Sequence, residues 1–68
     1  MEHMNIGASI KRLRLEKGIS QENLGKTIGV THAAISFWEN GVNIPNVLDC
    51  WKIADYFNVS IDELVGRE

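Results

Sequence analysis

The chain is short of several things. It holds one cysteine, Cys50, in 68 residues. A lone thiol cannot close an internal disulfide, so the fold must rest on packing and a reducing, cytoplasmic setting is expected. There is no run of 18 apolar residues, which excludes a membrane-spanning helix, and the N-terminus lacks the apolar stretch of a signal peptide. Phosphate-binding glycine loops, dinucleotide-binding glycine clusters and zinc spacings are all missing. The two histidines, His3 and His32, lie far apart in sequence, and neither stands near a nucleophile in a recognisable motif. No catalytic residue, metal or cofactor is expected, and a chain this short has little room for an enclosed active-site cleft. Cations are also scarce: seven Lys and Arg against nine Asp and Glu give a net charge of −2.

What is present is enough for one small helical domain. At this size folding buries only about 60% of the unfolded chain's surface, so the core must be compact. Apolar residues make up 44% and charged residues 24%, the balance of an ordinary globular protein. The charge is unevenly spread. Residues 1–41 carry five of the seven cations against four acids, and residues 42–68 carry two against five. An N-terminal part facing a polyanion and an acidic far side fit that split.

The stretch Gln21 to Asn40, QENLGKTIGVTHAAISFWEN, organises the rest. Its spacing predicts two short helices joined by a tight turn, with Leu24, Ile28, Val30, Ile35 and Trp38 lining one interior. Gly25 falls mid-helix, where glycine costs roughly 1 kcal/mol against alanine, so a close neighbour is expected there. Gly29 suits the positive φ that ends a helix, and the Thr31 hydroxyl suits the N-cap of the next. On that second helix Ala34, Ile35 and Trp38 share one side, while His32, Ala33, Ser36, Phe37 and Asn40 share the other. The outer side carries no charge, and an outward Phe37 needs a partner. A helix that reads DNA places its N-terminal part in the major groove against base edges. His32, Ala33, Ser36 and Phe37 are therefore the expected base-contacting residues. With no Arg on this stripe for guanine, a methyl and a phenyl group point to thymine.

Around this unit, Ile6 to Lys17 reads as a first helix with Ile6, Ile10, Leu13 and Leu15 as apolar positions, closed by Gly18. Lys11 and Lys17 read as a solvated face. Ser20 is expected to cap the second helix. Gly41 to Pro45 is a loop. Asn46 to Phe57 reads as a fourth helix with Val47, Cys50, Ile53, Ala54 and Phe57 inward and Trp51 flanking, ended by Asn58. Ser60 and Glu63 form a capping box opening a fifth helix, in which Ile61, Leu64 and Val65 cover the bottom of the core; any left exposed would be the expected dimer surface. Cys50 is read as a small core residue. The fold expected is all-α, five helices, with residues 6–68 as the domain and residues 1–5 as a flexible tail, in which His3-Met4 reads either as a cloning junction, with Met4 the natural start, or as native sequence.

QENLGKTIGVTHAAISFWENG resembles the helix-turn-helix of the lambda repressor and Cro type, often called the XRE family, and the resemblance runs from about Ile6 to Leu64. It implies a sequence-specific DNA-binding regulator, a repressor of phage or bacterial type, that binds a palindromic double-stranded operator as a homodimer in the nucleoid. It implies that Gln21 contacts a phosphate and braces the recognition helix, and that Arg14 pairs with Glu39. Glu39 ends the recognition helix, where a carboxylate opposes the helix dipole and a guanidinium would relieve it. In relatives the loop after this helix is often basic, but here it reads Val42-Asn43-Ile44, leaving Asn40 and Asn43 as neutral donors. With Ser20 and Thr31 at the helix starts, these complete the expected phosphate-contacting set. The competing reading is an antitoxin-like or adaptor module that holds a protein partner through Phe37, Leu48 and Trp51. Salt separates the two, because DNA affinity falls as salt rises.

Overall fold

A computed structural model describes residues 5–66. Five helices follow in order: α1 Ile6–Lys17, α2 Gln21–Ile28, α3 His32–Glu39, α4 Val47–Phe57 and α5 Ile61–Val65. The described residues contain no strand, and no helix among them is long and apolar enough to cross a membrane. The expected tail, with His3, lies outside the described residues except for Asn5. The Asn5 N–H donates to the Val65 carbonyl at 2.7 Å, which ties the start of α1 to the end of α5.

Local chemistry sets the helix ends. Ser20, Thr31, Asn46 and Ser60 each stand in extended backbone, and each side-chain oxygen accepts the N–H three residues on, satisfying a donor that has no partner inside the helix. For Ser60 that donor is Glu63 at 2.9 Å. At the other ends, Gly18, Gly29 and Asn58 adopt the left-handed conformation. After Gly18, the Ile19 N–H returns to the Arg14 carbonyl at 3.2 Å and Ile19 packs back on the core.

Ile10, Leu24, Ile35, Ile53 and Leu64 are fully buried, one from each helix. Ile6, Leu13, Ile28, Trp38, Cys50 and Ala54 complete the core, with Val30, Phe57 and Val65 partly buried against it. Three expected core positions are elsewhere. Leu15 is 59% exposed, because it follows Leu13 by two residues, about 200° round the helix from the buried stripe. Val47 is 86% exposed: spacing puts it on the α4 stripe, but it stands in the first turn, which no other helix covers. Ile61 is 38% exposed at the first position of α5. Cys50 is buried with its thiol directed at the Pro45 carbonyl, 3.6 Å away, and burial pushes the thiol pKa up.

Candidate nucleic-acid interface

The two central helices are joined by a tight turn. Gly29 turns the chain at φ 84°, and the N–H groups of Gly29 and Val30 both donate to the Gly25 carbonyl at 2.8 Å. The turn folds back so closely that a Cβ on Gly25 would stand 2.6 Å from the Val30 carbonyl oxygen. Gly7 does the same job at the other end of α3: a Cβ there would run into the Trp38 carbonyl. The sequence reading missed Gly7. A lone glycine within a helical pattern marks a close approach, but nothing local says to what.

With α3 seated this way, Ile35 and Trp38 are buried and Ala34 is partly buried. His32, Phe37 and Asn40 are exposed, and Ala33 and Ser36 are half-buried on the same outer side. Phe37 is 47% exposed, so its ring is outside the core. The Asn40 amide donates to the Ser36 hydroxyl at 3.3 Å, which leaves the Ser36 proton free to donate outward.

Three side chains lock α3 and its outer face to the rest. Arg14 Nε donates to Glu39 Oε2 at 2.7 Å and Arg14 Nη2 to Glu39 Oε1 at 3.1 Å, a two-pronged bond between α1 and the end of α3. Arg14 Nη1 also donates to the Ile19 carbonyl at 3.0 Å. The Glu39 side chain is 3% exposed and that of Arg14 11%. Bonding to Glu39 raises the Arg14 pKa further, so on the alkaline side the pair is lost only as pH climbs through the guanidinium's own titration. Gln21 Nε2 donates to Glu39 Oε1 at 3.1 Å and keeps its second proton free, bringing α2 into the same cluster.

Polar donors gather at both ends of α3. At its start, Arg14, Ser20, Gln21, Glu22 and His32 line one shallow depression, with Thr31 beside His32. The Ser20 and Thr31 oxygens accept cap bonds, at 3.0 and 3.1 Å, and their hydroxyl protons remain to donate. At its end, Asn40 and Asn43 share a depression with Lys11 of α1. Lys11 was read from sequence as solvated surface; its place beside the two asparagines was invisible without the packing of α1 on α3.

A family model described as helix-turn-helix matches residues 10–64. The chain is 37% identical over 65 residues to the HTH-type transcriptional activator BcrR of Enterococcus faecalis; the match takes in 96% of this chain and 32% of that protein, so the chain spans about a third of the activator. It is 36% identical over 59 residues to the uncharacterized HTH-type transcriptional regulator YgzD of Bacillus subtilis, covering 87% of this chain and 89% of that one. The crystal structure of the P22 c2 repressor protein in complex with a synthetic operator matches with a TM-score of 0.87 and 29% identity, over the whole of both chains.

Proposed function

The chain belongs to the helix-turn-helix family of the lambda repressor and Cro type, and on that premise we propose that it binds double-stranded operator DNA as a homodimer with α3 in the major groove, and represses transcription by occupying the site. Its setting is the bacterial cytoplasm, on the nucleoid. The observation that carries the reading is the outer face of α3: an uncharged stripe of His32, Ala33, Ser36 and a 47% exposed Phe37, flanked at both ends by groups that can donate to phosphate. Ser20, Gln21 and Thr31 grip one phosphate group at the starts of α2 and α3, where N–H groups and the helix dipole favour an anion. Asn40 and Asn43 take another, with Lys11 supplying the charge that the loop lacks. Phosphate bonds set the position, and the stripe reads the bases.

Ser36 and His32 supply hydrogen bonds to purine N7. The Ala33 methyl and the Phe37 ring pack on a thymine C5-methyl, a group that G·C pairs do not have. The test is selection of bound sites from a random DNA pool, followed by replacing each conserved thymine with uracil, which removes only the methyl. At the thymine read by Phe37 the loss should be a measurable part of the roughly 1–3 kcal/mol typical of a specific base contact. Phe37→Ala should erase that penalty and keep the fold, since the ring lies outside the core. Selection that enriches no sequence, or affinity indifferent to salt, would overturn the reading.

A further inference from the structure

Ser36 carries the one hydroxyl on the outer stripe of α3, and Asn40 is bonded to it twice. The Asn40 backbone N–H donates to the Ser36 carbonyl at 2.9 Å. The Asn40 side-chain amide donates to the Ser36 hydroxyl at 3.3 Å. The first bond holds residue 40 one turn beyond Ser36, on the same side of the helix, which brings the second within reach. A serine or threonine inside a helix commonly gives its proton to the carbonyl four residues back. Thr27 does so, to Asn23 at 2.9 Å. Ser36 makes no such bond among the described residues: its oxygen is engaged and its proton is not.

We propose that Asn40, without touching a base, sets the hydrogen-bond sense in which Ser36 reads one. This role rests on the DNA-binding reading and adds to it a positioning residue that determines specificity. Left alone, a serine hydroxyl offers one proton and two lone pairs, so it serves a base acceptor or a base amino group about equally well. An oxygen that already accepts one bond is polarised to give its own proton. Asn40 thereby makes Ser36 a donor. A donor selects a purine N7 and gains nothing from the amino group of cytosine, which is itself a donor.

Two considerations turn the amino end of the Asn40 amide toward Ser36. Asn40 closes α3, where the last carbonyls leave a partial negative charge that attracts N–H bonds. The phosphate proposed at this end of the helix has no proton to give, so it too requires the amino group. That group carries two N–H bonds, one for Ser36 and one for the phosphate. A single side chain then joins the grip on the DNA backbone to the reading of a base.

The experiment selects sites from a random DNA pool with wild type, Ser36→Ala, Asn40→Ala and Asn40→Asp. The base pair whose preference disappears in Ser36→Ala is the one that Ser36 reads. Wild type should favour a purine there. Replacing that purine by its 7-deaza analogue, which removes only N7, should weaken binding roughly two- to tenfold, the range of one neutral hydrogen bond. Both Asn40 variants lose a phosphate contact, so their affinity should fall for every sequence. A phosphate or structural role alone would leave the order of preference at that one pair as it was. Asn40→Ala should instead cut the deaza penalty to less than half. Asn40→Asp should reverse the preference, because a carboxylate takes the Ser36 proton and leaves the hydroxyl only lone pairs, which suit the amino group of cytosine. If Asn40→Asp keeps the wild-type preference and the full deaza penalty, the proposal is overturned. A Ser36→Ala variant that changes no position overturns it as well. In both cases sequence-selective, salt-dependent binding by wild type leaves the DNA-binding reading standing. A second readout needs no DNA. In the free protein, Ser36→Ala should shift the nuclear magnetic resonance signals of the Asn40 side-chain amide and leave those of Asn43 in place; unshifted Asn40 signals count against the proposal. Selection that enriches no sequence would overturn the operator reading, and this role with it, even where the Asn40 signals shift.

Discussion

Arg14 and Glu39 show how much one pair can matter in a small domain. The pair is nearly desolvated and bonded twice, which places it well outside the class of surface ion pairs worth little. Arg14→Ala strands the Glu39 carboxylate at the C-terminal end of α3, facing the dipole with only Gln21 to bond it. The expected loss is about 3 kcal/mol, against no more than about 0.5 kcal/mol for the exposed Lys11→Ala. Thermal denaturation of the two variants checks this, and equal melting temperatures would contradict it. Lys11→Ala should show its effect elsewhere, as weaker binding to every DNA sequence alike. Removing both charges with Arg14→Met and Glu39→Gln should hurt less than Arg14→Ala alone, because no buried charge is then left unpaired.

At the scale of the elements, ends were more legible than faces. Ser20, Thr31 and Ser60 as caps, and Gly18, Gly29 and Asn58 as left-handed terminators, could be read from residue type, because capping depends on bonds within three or four residues. Leu15, Val47 and Ile61 could not be placed, because an apolar side chain does not record whether another helix reaches it. The same holds for Lys11 beside Asn43, and for Gly7 under Trp38. The outer stripe of α3 was legible because it combines an unusual composition with helical spacing. The two glycine approaches yield a prediction at this scale. Gly7→Ala and Gly25→Ala each drive a methyl into backbone carbonyl, so the α1–α3 or α2–α3 junction must open. Each should lose about 2 kcal/mol or more. Gly18→Ala meets no atom within 4 Å and carries only the strain of its positive φ, about 1 kcal/mol. Chemical denaturation would rank the three, and Gly18→Ala as the most damaging would reverse the argument.

For the whole molecule, the shortage of cations shapes the DNA complex. Most of the proposed phosphate donors are neutral, and neutral donors release few counterions. The dimer's affinity should therefore fall with salt along a gentle log–log slope, about −2 to −4, where a strongly basic reader shows about −10. Half-sites should lie about one helical turn, roughly 34 Å, apart. Titration at several salt concentrations checks the slope, and a flat line would remove Lys11 and every other cation from the phosphate contacts.

The buried set and the outward stripe of α3 share no member: His32, Ala33, Ser36 and Phe37 contribute nothing to the core that Ile35 and Trp38 help to build. Mutation can thus rewrite the four outward positions while the inherited architecture stays as it is. Under the proposed reading, a lineage carrying this domain can acquire new target sites by drift at a few codons, and duplicated copies can diverge in specificity without first regaining the ability to fold.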